Sequence, residues 1–184
     1  DLDKGLARAK AATLLMLALP GSSYLYQGEE LGLPDVTDIP SDQMQDPQWF
    51  RGEGKFKSRD GCRVPLPWSA TGPSFGFGPG GSHLPQPDWY KEYAVSIQDG
   101  QPGSTLELYR TALALRRKLV QGEKLSWRPS APGTLLFERE AGWSSFTNFT
   151  DDAVELPVGQ IMLSTAEIVG NKVPANSTVW LKLS

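Results

Sequence analysis

The sequence predicts an α/β region followed by a small all-β region. Three observations support this prediction: helical patterns at residues 3–19 and 104–120, and alternation of apolar and polar residues in short segments after residue 124. With 184 residues, the chain is long enough for one or two domains, each with its own hydrophobic core.

The first helix is predicted over residues 3–19, with Asp1 or Asp3 near its start and Pro20-Gly21 as its stop. Its second half is apolar on every side, which indicates burial between layers of structure. The next segment, SSYLYQGEELGL, is short, apolar and aromatic, and we predict a strand that runs into a loop. A helix beside the strand that follows it suggests a βα repeat with a parallel sheet.

Residues 34–103 have no clear periodicity and hold ten of the fifteen prolines. A flexible linker is one interpretation. The alternative is an ordered loop with a short helix at 88–98, which the aromatic residues favour because flexible linkers contain few of them. These aromatic residues are Trp49, Phe50, Trp68, Phe75, Phe77, Trp89 and Tyr90. A loop of this length in a compact protein is usually functional.

The second helix, at residues 104–120, is the best-marked element. Ser104 and Glu107 fit a capping box, and Gly122 follows as a stop. One face of this helix is predicted to be apolar: Leu106, Tyr109, Leu113 and Leu119 or Val120. Beyond it, GTLLFERE, GWSSFTNFT, AVELP, QIMLST and STVWLKL predict short strands of an antiparallel sandwich at residues 124–184.

Composition excludes several classes of function. The net charge is −3 and no basic block occurs, which argues against nucleic acid as a partner. Cys62 is the only cysteine, so no internal disulfide can form, and this fits a reducing, cytoplasmic location. The longest apolar run is too short to cross a bilayer and does not have the layout of a signal peptide, so no membrane partner is expected.

Three candidate sites have simpler structural interpretations. Glu29 and Glu30 are adjacent carboxylates, but neighbours on a strand point to opposite faces. They therefore cannot flank one glycosidic bond, which needs carboxylates about 5–5.5 Å apart in a retaining glycosidase. We expect them to bond to basic groups or to the backbone. His83 is the only histidine and has no nucleophile elbow nearby, so we expect no catalytic triad. No spacing typical of a metal site occurs, and neither a metal nor a cofactor is expected.

The segment SRDGCRVPLPW, residues 58–68, is the strongest candidate. Pro65 and Pro67 stiffen the backbone around Arg63. A stiff backbone suits a guanidinium that must meet a carboxylate or a pair of hydroxyls at a fixed angle. The alternative is internal pairing of Arg63 with Asp60, and the residues alone do not decide between the two. Trp68 and Phe75 could stack on sugar faces or pack the loop.

Three motifs in this order resemble the C-terminal part of the α-amylase superfamily, glycoside hydrolase family 13. They are LPGSSYLYQGEELGLPDV, SRDGCRVPLPW and GSTLELYRTALALRR. The second motif resembles most closely the α-glucosidase and oligo-1,6-glucosidase branch. The resemblance implies that residues 1–123 are the last segment of a (β/α)₈ TIM barrel. Within it, 3–19 would be helix 7, 22–31 strand 8, 34–103 the long βα loop and 104–120 helix 8. Residues 124–184 would be the C-terminal antiparallel β domain.

The same resemblance implies a retaining α-glucosidase that acts on α-glucoside oligosaccharides. The family's arginine that matches Arg63 lies at the pocket for the terminal, non-reducing glucose, and Arg59 and Asp60 would support it. The family's three catalytic carboxylates lie on earlier strands, so no catalytic residue is expected in this chain. A departure from the family pattern follows Arg63, where many members have Thr in place of Val64 and Met-Gln before the tryptophan.

Alternative functions stay open at this point. The chain could belong to a trehalose synthase or sucrose isomerase relative, act as a non-catalytic carbohydrate-binding module, or serve as an interaction module. The sequence begins without Met and inside a predicted helix, so we expect it to be a fragment of a longer polypeptide. Such a fragment is expected to associate with itself or with the missing part of the barrel, because it would expose an apolar helix and bare strand edges.

Overall fold

The computed structural model describes residues 1–56, 58–120 and 122–183. Its α-helices are α1 (Leu2–Ala18), α2 (Pro47–Arg51), α3 (Val95–Gln98) and α4 (Thr105–Leu119). Its strands are β1 (Leu125–Arg128), β2 (Thr134–Arg139), β3 (Trp143–Asn148), β4 (Val154–Glu155), β5 (Gln160–Ser164), β6 (Lys172–Val173) and β7 (Ser177–Lys182). Short 3₁₀ helices lie at Glu29–Leu31, Ser41–Gln43, Asp60–Cys62, Pro73–Gly76 and Asp88–Tyr93.

These elements form two compact units. The first unit combines Asp1–Tyr24 with Leu108–Ser184, and the second is Leu25–Glu107. The predicted division into residues 1–123 and 124–184 follows the family pattern and stays a prediction. Each unit has its own buried apolar cluster and is described by itself below.

The first unit contains a five-stranded antiparallel sheet in the order β1-β2-β3-β7-β5. A separate two-stranded antiparallel ribbon pairs β4 with β6. The antiparallel C-terminal region is therefore confirmed, and all five predicted strands are present. The strands β1 and β6 were not anticipated. A complete sandwich of two sheets stays a prediction, since the second layer described here is only the ribbon.

Helix α1 packs against one face of the five-stranded sheet. Its start was predicted correctly, since the carboxylate of Asp1 accepts a hydrogen bond from the Lys4 amide at 3.0 Å. Leu14 and Leu17 of α1 are buried against Trp143 and Trp180 of the sheet. The opposite face of the sheet carries a second cluster: Phe146, Val179 and Leu181 with Val173 of the ribbon. This explains why every residue of β3 is buried.

Polar side chains of β7 also bond to the backbone of α1. The indole Nε1 of Trp180 donates to the Leu14 carbonyl at 3.1 Å, and the Thr178 hydroxyl donates to the Ala11 carbonyl at 2.8 Å. The Thr147 hydroxyl lies 2.8 Å from the Thr178 hydroxyl. Each hydroxyl has one proton and that of Thr178 is used on Ala11, so Thr147 is the donor in this pair. All three groups are buried, and they fix α1 along the sheet.

The predicted strand over residues 22–31 is wrong. None of these residues, all of which the structure describes, lies in a strand, and Glu29–Leu31 forms a 3₁₀ helix instead. Gly28 and Gly32 have φ values of 89° and 66°, a left-handed conformation that ends an extended segment. A strand also needs a neighbour for its hydrogen bonds, and the described residues offer residues 22–28 no partner strand. The parallel sheet is absent for the same reason, because both sheets of the described chain are antiparallel.

In the second unit, the described residues between 34 and 103 form a folded loop with its own buried cluster, as predicted, rather than a linker without a core. Its buried cluster consists of Val36, Ile39, Val64, Leu84 and Tyr90. The short helix expected at 88–98 is present as the 3₁₀ helix Asp88–Tyr93 followed by α3. The buried side chain of Gln98 donates to the carbonyls of Leu31 and Tyr93 and accepts from the Leu106 amide, which connects distant parts of this unit.

Helix α4 agrees with its prediction, with one change at its start. The Ser104 hydroxyl accepts from the Glu107 amide at 3.2 Å, but the Glu107 carboxylate accepts from the Gly100 amide. The capping box is therefore half formed. The predicted apolar face holds: Leu106 and Tyr109 are buried, and Leu113, Leu119 and Val120 pack against the cluster around Leu14. Within the described residues, no helix combines the length and apolar character needed to cross a membrane.

Candidate functional site around Arg59, Asp60 and Arg63

The predicted site segment turns through the 3₁₀ helix Asp60–Cys62. The carbonyl of Gly61 accepts from the Val36 amide at 3.2 Å, so the two backbones lie side by side. A Cβ atom at position 61 would lie 2.3 Å from the Val36 carbonyl oxygen, and only glycine fits there. Val64, next to Arg63, is buried in the cluster of the second unit. These contacts fix the backbone on both sides of Arg63.

Asp60 organises the loop and does not pair with Arg63. Its Oδ2 atom accepts from the amides of Gln45 and Asp46, at 2.8 and 3.0 Å, and from the Ser58 hydroxyl at 2.6 Å. Burial of Asp60 opposes ionisation, but these three donors outweigh it and leave the pKa of the carboxyl below its usual value. The alternative in which Asp60 pins Arg63 is wrong. Asp60 instead holds the backbone of residues 45 and 46.

The partner of the two arginines is Asp46, which sequence reasoning missed. The carboxylate of Asp46 is fully buried. Its Oδ2 accepts from Nε and from the backbone amide of Arg59, both at 3.0 Å. Its Oδ1 accepts from the Gln48 amide at 3.0 Å and from Nη2 of Arg59 at 3.3 Å. The only signal in the sequence was the Asp46-Pro47 pair, which is typical of an N-cap followed by proline at N1.

Arg59 and Arg63 use this carboxylate unequally. Arg59 forms a bidentate pair with it, whereas Nη1 of Arg63 lies 3.9 Å from Oδ2, at ion-pair distance only. No hydrogen bond from the Arg63 side chain to any described residue is present, and 37% of that side chain is exposed. The donors of Arg63 therefore remain available for a carboxylate or for sugar hydroxyls.

The charges at the site are strongly coupled. The hydrogen bond from the Arg59 side chain, followed by the amides of Gln48 and Arg59, holds the pKa of Asp46 well below its usual range. The same bond raises the pKa of Arg59. Asp46 therefore carries its negative charge at every physiological pH, and the cationic Arg63 lies beside it.

A cavity of about 240 Å³ lies beside the site segment. Gly61, Cys62 and Val64 contribute to its wall, but Arg63 does not. The remaining lining is aromatic, acidic, apolar and amide side chains: Tyr26, Gln27, Glu29, Leu33, Pro34, Asp35, Leu66 and Tyr90. Burial raises the pKa of Tyr90, with a contribution from Asp35, so this phenol is neutral.

The other candidate residues have structural surroundings. Glu30 accepts from the Gly28 amide at 2.9 Å, which confirms the predicted backbone contact, although the turn is 3₁₀ rather than a strand. His83 is exposed, and its carbonyl accepts from the Gln45 side chain. Phe75 packs against the cluster of the second unit, whereas Trp68 is about half exposed. In the described part of the chain, no group of three or more His, Cys, Asp or Glu side chains is arranged to hold a metal ion.

Comparison with known proteins agrees with the motif resemblance. Residues 2–122 match the family model described as alpha amylase, catalytic domain. The chain belongs to the α-amylase family. A probable alpha-glucosidase of Rhizobium meliloti is 34% identical over 162 residues, which cover 84% of this chain. An oligo-1,6-glucosidase of Parageobacillus thermoglucosidasius is 29% identical over 136 residues, or 63% of this chain. The predicted relation to these glucosidases is confirmed.

A solved structure, that of the alpha-glucosyl transfer enzyme XgtA, has a TM-score of 0.76 and 31% identity and covers 95% of this chain. The α-amylase fold with a C-terminal antiparallel β region is therefore confirmed. This chain spans only 35% of the XgtA chain, 29% of the length of the Rhizobium meliloti protein and 24% of that of the Parageobacillus thermoglucosidasius enzyme.

Proposed function

We propose that this α-amylase-family chain is part of a retaining α-glucosidase that removes terminal, non-reducing α-linked glucose from short oligosaccharides. In this proposal residues 1–123, including the loop 34–103, complete a TIM barrel, and residues 124–184 form the β domain behind it. The catalytic carboxylates lie outside these residues. They form and then hydrolyse a covalent glycosyl-enzyme intermediate in two displacements.

One observation supports a substrate-binding role for Arg63 more than any other. Its guanidinium is partly exposed and lacks a hydrogen bond to any described residue, while the neighbouring Arg59 forms a bidentate pair with Asp46 through Nε and Nη2. A cation with unused donors on a stiff backbone suits a fixed set of sugar hydroxyls or a carboxylate that shares the pocket. Arg63 therefore binds the terminal glucose, and Arg59 and Asp60 hold the segment in shape.

The test compares the 184-residue chain with the longest polypeptide of the same reading frame. We expect the longer polypeptide to release glucose from maltose or isomaltose and the short chain to release none. In the longer polypeptide, Arg63→Ala should lower kcat/KM about 10- to 150-fold, the loss of a hydrogen bond to a charged group. Arg51→Ala is the matched control, because Arg51 is exposed at the end of α2. Absence of glucose release, or equal activity of the two variants, would contradict the proposal.

A second candidate function, isomerisation of a disaccharide in place of its hydrolysis, is favoured by the similarity to another relative. The trehalose synthase/amylase TreS of Mycobacterium tuberculosis is 34% identical over 124 residues, which cover 64% of this chain. Two isomaltulose synthase structures of Erwinia rhapontici share the fold at 22% identity. Chromatography of the products distinguishes the two functions. Free glucose indicates hydrolysis, whereas a rearranged disaccharide from maltose or sucrose indicates isomerisation.

We also propose that the 184-residue chain on its own associates with other copies of itself. Leu2 and Tyr24 in the first unit are 70% and 86% exposed, and contact with a second copy would remove these apolar and aromatic surfaces from water. Light scattering on dilute chain should therefore give a mass above that of the monomer. A stable monomer at micromolar concentration would contradict this expectation.

A further inference from the structure

The contacts around Asp46 have a consequence beyond the substrate contact of Arg63. Asp46 is fully buried, and each of its hydrogen bonds comes from an N–H group: two backbone amides and two side-chain nitrogens of Arg59. Each oxygen accepts two of these bonds, which leaves no position for a proton, so the carboxylate is ionised. An asparagine at this position would turn an amino group toward two donors, whichever way it faced.

The two arginines beside Asp46 differ in what they leave unused. Arg59 donates to both carboxylate oxygens of Asp46 through its side chain. The backbone amides of Gln48 and Arg59 occupy the remaining acceptor positions. Arg63 is held at 3.9 Å by charge alone and keeps its donors. One buried negative charge thus neutralises two guanidinium groups that would otherwise repel each other.

We propose that Asp46 is a positioning residue for substrate binding: through its charge it holds Arg63 in place, and through its pairing with Arg59 it leaves the Arg63 donors free for the sugar. This inference rests on the proposed function, because the effect reaches the substrate through Arg63. Asp46 itself touches no substrate. Its backbone is held in turn by Asp60, which accepts the Asp46 amide at 3.0 Å.

The inference predicts coupling between positions 46 and 63. In the longer polypeptide, Asp46→Asn should lower kcat/KM for maltose about 10-fold, chiefly through a higher KM, which corresponds to about 1.4 kcal/mol. In the Arg63→Ala background, the same substitution should change kcat/KM less than about 2-fold, since the residue through which it acts is gone. Asp42→Asn is the matched control, because Asp42 is exposed on the 3₁₀ helix Ser41–Gln43 and should leave activity unchanged.

Equal losses in the two backgrounds would overturn the inference, because they would mean that Asp46 only maintains the loop. No loss in the wild-type background would overturn it as well. If Asp46→Asn does not fold, Asp46→Glu keeps the charge one methylene away. It should raise KM by a smaller factor, again only when Arg63 is present.

Failure of the proposed function has a different signature: the wild-type longer polypeptide releases no glucose, or Arg63→Ala behaves like Arg51→Ala. A crystal structure of the Asp46→Asn variant then decides the positioning role without activity. A displaced Arg63 guanidinium supports the inference, and an unmoved one refutes it.

Discussion

Replacing Thr178 with valine should destabilise the first unit. A second substitution, Thr147→Val, should recover stability. Thr178 donates to the Ala11 carbonyl and accepts from Thr147, and all three groups are buried. Valine has nearly the same shape but leaves the Thr147 hydroxyl without an acceptor, which costs about 1–3 kcal/mol. The extra buried methyl group returns roughly 0.8 kcal/mol. The net loss for Thr178→Val is therefore about 0.2–2.2 kcal/mol.

The double variant Thr147→Val/Thr178→Val removes the stranded hydroxyl together with its partner. Because exchange of both partners for apolar groups of the same shape is nearly neutral, the double variant should be more stable than Thr178→Val alone. Urea denaturation followed by tryptophan fluorescence measures this, since Trp143 and Trp180 lie in the adjacent core. The reasoning is refuted if the double variant is the less stable of the two, because the pair would then not be coupled as the hydrogen bonds require.

Three further predictions concern other parts of the chain. Arg139→Met should raise the free energy of unfolding by about 1–3 kcal/mol in the same urea assay. The reason is that Nε and Nη1 of this buried guanidinium lack hydrogen-bond partners among the described residues. The control is Arg128→Met, because Arg128 belongs to an exposed ion pair. Gly61→Ala should cost about 1–3 kcal/mol because its methyl group meets the Val36 carbonyl, whereas Gly78→Ala, which points into open space, should be nearly neutral. The pKa values of Asp46 and Asp60 are lowered in the folded state, so their stabilising contribution is present above about pH 4 and is lost as the pH falls further. The midpoint of thermal unfolding should therefore decline between pH 5 and pH 2. A midpoint that does not change with pH would contradict this prediction.

The helices and most strands could be predicted because their signals are local. Asp1 and Pro20 bound α1, Ser104 begins α4, and short segments with apolar and aromatic residues, separated by Gly, Pro, Asp and Asn, mark β2, β3 and β7. The strand β1 was missed because three of its four residues are exposed, which gives no alternation between a buried and an exposed face. The strand over 22–31 was predicted from aromatic and apolar content and from the glycines that bound the segment. Strand formation depends on a partner, and a partner is not encoded in the segment itself.

The substrate-binding role of the segment SRDGCRVPLPW stays a prediction, and the sequence did not reveal Asp46 as the partner of its arginines. The prolines and charges of SRDGCRVPLPW indicated a stiff loop with a functional arginine, and Arg63 does lack an internal hydrogen bond within the described chain. Asp46 lies thirteen residues before Arg59, and nothing in the spacing indicates that the loop folds back to bury it. Asp60, which is adjacent to Arg59, was the obvious candidate and bonds to backbone instead. Contacts across a loop without periodicity depend on its tertiary path.

Helix α1 is attached to the sheet by packing and hydrogen bonds. Residues 1–24 therefore belong to the first unit without needing the covalent connection through residues 25–107. The carbonyls of Ala11 and Leu14 accept hydrogen bonds from side chains of β7. Arg116 of α4 donates to three carbonyls at and after the end of α1, those of Leu17, Leu19 and Gly21. A single protease cut within residues 25–107 would therefore leave the N-terminal helix bound to residues 108–184 by packing and hydrogen bonds alone. Such a nicked protein should migrate as one species under native conditions and as two under denaturing ones. The first unit can thus be treated as a natural split protein. Its two segments, residues 1–24 and 108–184, are separated in the sequence by the second unit.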